Sequence, residues 1–220
     1  MKQPDWAQRQ RFQGRWLPIA SLLALLLALL LATFGAQAQG QRTLLVMGDS
    51  LSAGYGMGAQ QSWPSLLEAR IRGDGWRVVN ASVSGETTAG GRARMLGELQ
   101  RNRPQVVVIA LGANDGLRGL PLAEMRRNLA WMIGAAHGAG AKVLVVGMQM
   151  PPNLGPEYTG EFFDSFAWLS RWFDAGHLPF LLEPIAAERE NFMDDNLHPL
   201  PATQPTIRDH VLAALRPLLR

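Results

Sequence analysis

The chain has 220 residues, with 21 Lys and Arg against 18 Asp and Glu, and no cysteine. Lacking cysteine, it can form no disulfide, use no thiol nucleophile and hold no zinc through sulfur, so its stability must come from packing. The basic excess lies in the first 38 residues, where Lys2, Arg9, Arg11 and Arg15 face only Asp5. Beyond them 17 residues of each sign remain, without the basic stripe that nucleic-acid binding needs.

The basic start is followed by an apolar stretch from Ile19 to Phe34 and by Ala36-Gln37-Ala38. This pattern is that of a secretory signal cut after Ala38, with retention as an uncleaved membrane anchor as the alternative. Either way residues 39–220 are expected to be exported as one domain, a length that supports a single sizeable core.

Four runs read as buried strands: Thr43–Met47, Arg77–Ala81, Gln105–Leu111 and Lys142–Gly147, with a weaker fifth at Phe180–Leu182. They are nearly continuous in Val, Leu and Ile rather than alternating, as parallel strands covered on both faces are. Helical spacing fills the gaps. Trp63-Pro64 reads as a helix start capped by Ser62. Leu122, Met125, Leu129, Met132 and Ala136 share one helix face after Pro121, and Ile207, Val211, Leu215 and Leu218 share another after Pro205. Met150–Gly160, rich in Pro and Gly, reads as irregular. Strand and helix alternate, which predicts a three-layer α/β/α sandwich around a five-stranded parallel sheet.

In such a sheet the loops after the strands emerge on one edge, where open α/β folds place their chemistry. Those loops carry Gly48-Asp49-Ser50, Asn80 to Gly85 and Gly112-Ala113-Asn114-Asp115, and Asp195-Asn196-Leu197-His198-Pro199 follows near the end of the chain. A serine needs a base and the base an orienting carboxylate, so Ser50, His198 and a nearby Asp form a candidate nucleophilic set. Each residue also has a plainer role open to it. Ser50 suits a helix N-cap, Asn114-Asp115 a turn, Gly85 a positive φ, and Asp194 competes with Asp195 for the imidazole. Asp49 reads as a structural carboxylate bonding nearby backbone. His137, placed at a helix end, His177 and His210 have no partners in sequence and receive no role.

The stretches GDSLSAGYG at 48–56, NASVSGETT at 80–88, LGANDGLRG at 111–119 and MDDNLHP at 193–199 closely resemble the SGNH, or GDSL, hydrolases, and among them the periplasmic lysophospholipase, acyl-CoA thioesterase I and arylesterase group. The resemblance spans the chain beyond the leader, in order. It implies a flavodoxin-like fold and a serine esterase acting on lysophospholipids, fatty-acyl thioesters and aryl or short-chain esters, without cofactor or metal. It implies Ser50 as nucleophile, His198 as general base and Asp195 as its orienting carboxylate. The oxyanion hole would comprise the N–H groups of Ser50 and Gly85 and the Asn114 amide. Asn196 stands where the family most often has glycine, and Leu200 where asparagine is frequent. Gly54-Tyr55-Gly56-Met57-Gly58-Ala59 fits a dinucleotide-binding pattern but begins six residues past Gly48, too far from the strand end. Neither Ser50 nor Ser52 is centred in G-x-S-x-G. A carbohydrate deacetylase, an acyltransferase and a non-catalytic acyl-binding protein are the alternative functions. A periplasmic monomer is expected, binding a small acyl ester or thioester, with lysophospholipid met at a membrane surface and no nucleic acid. The acyl chain is expected along the loops Asn114–Leu120 and Met150–Gly160.

Overall fold

The computed structural model describes residues 41–220, which form one compact unit. The expected signal or anchor lies outside them. Among the described residues no helix is long and apolar enough to cross a membrane.

Five strands, β1 (Arg42–Gly48), β2 (Trp76–Asn80), β3 (Val106–Ala110), β4 (Lys142–Val146) and β5 (Gly176–Leu178), form one all-parallel sheet in the order β2-β1-β3-β4-β5. The register places Leu45 beside Val107, Val107 beside Val143 and Val145 beside His177. β3 is buried along its whole length and β1 from Thr43 onward. That is why these strands read as unbroken apolar runs, and why the edge strands β2 and β5 read less clearly.

The fifth strand is not where the apolar run suggested. Phe180–Leu182 follows β5 and lies in a turn region beyond Pro179. The strand is the polar-looking Gly176-His177-Leu178, held by the Gly147 N–H donating to the Leu178 carbonyl at 2.8 Å. An edge strand of three residues needs only its backbone groups to pair, so composition marks it poorly.

Among the described residues seven α-helices accompany the sheet: α1 (Ser50–Ala53), α2 (Trp63–Ile71), α3 (Thr88–Asn102), α4 (Ala113–Leu117), α5 (Leu122–Gly138), α6 (Pro156–Trp172) and α7 (Gln204–Leu215). α3, α5 and α6 pack side by side, while α2 packs on α7 and β2. The apolar stripe of α5, Met125, Leu129, Met132 and Ala136, is fully buried, as its spacing required. α6 begins at Pro156, so the irregular segment after β4 is shorter than the Pro and Gly content of Met150–Gly160 implied. Proline at the first helical position fits, because its missing N–H would have no partner there.

Ser62 precedes α2 but does not cap it. Its hydroxyl turns back to Ala59 and Ser65, and the Trp63 N–H is taken instead by Gln204 Oε1 at 2.9 Å. This cap comes from 141 residues away and joins α2 to α7.

Candidate active site

β1 ends at Gly48, and the chain turns directly into α1. A Cβ at Gly48 would lie 2.7 Å from the Cβ of Ser52 and 2.9 Å from the Ser82 hydroxyl, so only glycine lets the turn close. Asp49 is the N-cap of α1: its Oδ1 accepts from the Leu51 N–H at 3.1 Å. Ser50 is therefore the first helical residue, not the cap, and its Oγ is presented above the strand end.

His198 comes from the other end of the chain. Its Nε2 lies 2.8 Å from Ser50 Oγ, and its Nδ1 lies 2.6 Å from Asp195 Oδ2. The other Asp195 oxygen accepts the N–H groups of Leu197 at 2.9 Å and His198 at 3.0 Å. The His198 N–H foremost, then the imidazole contact and the Leu197 N–H, lower the Asp195 carboxyl to a pKa of about 2, so it is ionised at neutral pH. Asp194 is exposed and makes no bond to the ring among the described residues. The turn is closed by Asn196 at φ 60°, the left-handed conformation that asparagine tolerates better than most residues. The Met193 N–H donates to the His198 carbonyl at 2.8 Å and the Leu200 N–H to Asn191 at 2.8 Å, so the loop is a self-bonded hairpin.

Gly85, at φ +77°, sits in the loop after β2, and the Arg118 guanidinium donates to its carbonyl at 2.9 Å, fixing the tilt of that peptide. Glu86 pairs with Arg94, whose guanidinium also donates to the Ala81 carbonyl. The Asn114 amide, at the start of α4, donates to the Glu86 carbonyl at 3.0 Å and lies 3.4 Å from Asp49 Oδ2. The loops bearing Gly85 and Asn114 are bolted together below the surface. Buried Asp115 accepts from the Thr88 N–H at 2.8 Å and from the Thr88 hydroxyl at 2.6 Å. The N–H groups of Ser50 and Gly85 have no hydrogen-bond partner among the described residues.

The structure thus brings Ser50, His198 and Asp195 into one hydrogen-bonded line, with Asn114 tied to Glu86, next to Gly85. It leaves His137, His177 and His210 elsewhere: at the end of α5, in β5, and on the Phe180 carbonyl. The backbone bond expected of Asp49 is present, but sequence reasoning missed its contact with Asn114 and the placement of Tyr55. The Tyr55 ring covers the His198 imidazole, with centroids 4.3 Å apart and planes 34° from parallel, although half of Tyr55 is exposed. Asp49 is 2% exposed, and burial raises its carboxyl to a pKa of about 6 against the pull of the Leu51 N–H and of His198. Both residues lie inside the GDSLSAGYG stretch, so the signal was present but carried no direction.

A serine, an imidazole and a carboxylate in line, beside loops with free N–H groups on an α/β/α sandwich, define the class of serine-dependent acyl hydrolases. The family description GDSL-like Lipase/Acylhydrolase matches residues 46–204, and the chain belongs to that family and is an SGNH-type enzyme. It is 44% identical to Esterase TesA of Pseudomonas aeruginosa over 91% of this chain and 99% of that protein. It is 38% identical to Thioesterase 1/protease 1/lysophospholipase L1 of Escherichia coli, over 88% of this chain and 91% of that protein. Among solved structures, the psychrotrophic esterase EstA from Pseudoalteromonas sp., inhibited by monoethylphosphonate, superposes with a TM-score of 0.77 at 36% identity, covering 81% of this chain and 98% of the other.

Proposed function

We propose that the protein cleaves carboxylic esters and thioesters of acyl substrates through an acyl-enzyme on Ser50. The observation that carries this reading is the unbroken line from Ser50 Oγ through both nitrogens of His198 to Asp195. His198 Nε2 takes the hydroxyl proton as Ser50 Oγ attacks the carbonyl carbon, while Asp195 holds Nδ1–H and stabilises the imidazolium that forms. The carbonyl oxygen becomes an oxyanion held by the N–H groups of Ser50 and Gly85 and the Asn114 amide. As the tetrahedral intermediate collapses, His198 returns its proton to the leaving alkoxide or thiolate. Water then attacks the acyl carbon by the same route in reverse, freeing the acid and restoring Ser50.

The acyl chain lies in the groove between the Gly119–Leu122 and Leu154–Tyr158 segments, where the Tyr158 hydroxyl bridges to the Leu120 carbonyl at 3.0 Å. Lysophospholipids and fatty-acid esters, met at a membrane surface, are the physiological substrates. An exported enzyme meets little coenzyme A, so thioester cleavage is incidental. The leader is removed after Ala38, and the domain works in the periplasm as a monomer. No metal or organic cofactor takes part.

The test is a chain-length series of p-nitrophenyl esters run beside lysophosphatidylcholine and palmitoyl-CoA, with Ser50→Ala as the control. Turnover should rise for the longer acyl chains and include lysophosphatidylcholine. Ser50→Ala should lower kcat by ~10⁶, the scale found for other serine hydrolases. Activity in Ser50→Ala near that of the parent would refute the acyl-enzyme, and preference for acetyl groups on sugars would replace the lipid substrates with carbohydrate ones.

A further inference from the structure

A buried carboxylate directly beside the nucleophile takes no part in the mechanism above, yet it touches two of its elements. Asp49 Oδ1 accepts the Leu51 N–H, which fixes the turn that displays Ser50. Asp49 Oδ2 lies 3.4 Å from Asn114 Nδ2, on a residue 65 positions away. The two ends of a primary amide have the same shape, so packing alone does not decide which end faces the substrate. Chemistry decides it here. The two groups against the Asn114 nitrogen, the Asp49 carboxylate and the Glu86 carbonyl, can only accept. A flipped amide would set its own oxygen against both, and the site would then present a lone pair to a developing negative charge.

We propose that Asp49 is a positioning residue for the oxyanion hole, its carboxylate holding the Asn114 amide with NH₂ toward the reacting carbonyl. The inference rests on the Ser50 reading above. The two contacts of the amide are unequal. Glu86 holds one hydrogen at 3.0 Å, while the hydrogen facing Asp49 is held loosely at 3.4 Å. The loose one is the one the oxyanion takes, so orientation is set in advance and little is broken when charge develops. At neutral pH the carboxyl, with a pKa raised to about 6 by burial, is mainly ionised and so accepts from both partners.

The experiment is a double-mutant cycle. Asp49→Asn keeps the shape but gives the neighbour a donor, which lets Asn114 sit either way round. kcat should fall about 10- to 100-fold with KM unchanged, less than the ~10²–10³ expected for deleting the amide in Asn114→Ala. Because Asp49 acts through Asn114, the double variant should be no slower than Asn114→Ala within about twofold. Multiplying losses, or parent-like kcat in Asp49→Asn, would overturn the proposal.

A measurement on a folded protein that retains Asp49 covers the case in which Asp49→Asn fails to fold. The titratable groups facing Asp49 are His198 and Asp115. In His198→Ala the side-chain NH₂ resonances of Asn114 should move between pH 5 and 8 as Asp49 ionises, and resonances that stay still would reject the contact. An active Ser50→Ala would sink the function reading. An inactive Ser50→Ala with an additive cycle would sink this inference alone.

Discussion

The two carboxylates nearest the site are built in opposite ways. Asp49 is buried at the end of β1, and its partners come from three separate stretches of chain: Leu51, Asn114 and, through space, His198. Asp195 has a side chain 42% exposed, and its partners Leu197 and His198 lie within three residues of it. Burial drives the first carboxyl up to about 6, and local N–H donors draw the second down to about 2. The contrast extends to the regions they belong to. Ser50 and the loops of Gly85 and Asn114 stand directly on the core, the two loops bolted through buried Asp115 and Thr88, whereas His198 and Asp195 ride on a self-bonded hairpin at the surface. A site of this kind separates chemistry from stability on one side and fuses them on the other.

Among the carboxylates, the largest expected effect lies on the hairpin. Asp195→Asn should lower kcat by ~10⁴, since an amide can hold the imidazole in the wrong tautomer. Its folding cost should stay under about 1 kcal/mol, because exposed ion pairs contribute little. Steady-state kinetics beside thermal unfolding reads both, and a large loss of stability would break the contrast.

On the core side the losses should come together. Asp115→Asn leaves the Thr88 N–H and hydroxyl poorly matched. It should cost about 1.5–3 kcal/mol of stability, the range for hydrogen bonds to charged groups, together with a drop in kcat as Asn114 and Gly85 drift apart. Parent-like unfolding combined with a lower kcat would make Asp115 a purely local fixture.

The pH dependence of stability has opposite signs for the two carboxylates. Asp49 has a folded pKa above its ordinary 3.8, so stability linked to it is complete below pH 4 and is lost as pH rises through about 6. Asp195 has a folded pKa below 3.8, so its contribution is present above pH 4 and is lost as pH falls through about 2. Denaturant unfolding from pH 2 to 7 should show Asp49→Asn flattening the upper slope and Asp195→Asn the lower one. The smallest effect is expected at Asn196. Removing the asparagine side chain from a left-handed position, as in Asn196→Ala, should cost about 1 kcal/mol, and Asn196→Gly should be neutral or better.

Much of this was legible in the chain. The strands β1, β3 and β4 announced themselves because they are buried on both faces, and the α5 stripe because one face is. Ser50, Asp195 and His198 were named from chemistry and resemblance, and of the two competing carboxylates it is Asp195 that lies on Nδ1. Three features were misread or missed. β5 is short and held by backbone bonds that any residue supplies, so Phe180–Leu182 looked the better strand. The cap of α2 comes from Gln204, and no local pattern encodes an acceptor that distant. The backbone bond of Asp49 was foreseen, but nothing showed that its second oxygen would meet Asn114 or that the Tyr55 ring would cover His198.

The alternation of buried strands and helices, the family and the candidate reacting groups were readable from the chain alone, because periodicity, burial and functional-group chemistry leave their marks within short segments. It took the folded arrangement to show that a hydroxyl and an imidazole 148 residues apart meet at 2.8 Å, and which oxygens stand behind the Asn114 amide. Those distances arise where separate loops converge on one edge of a parallel sheet, and no single segment contains the information to set them.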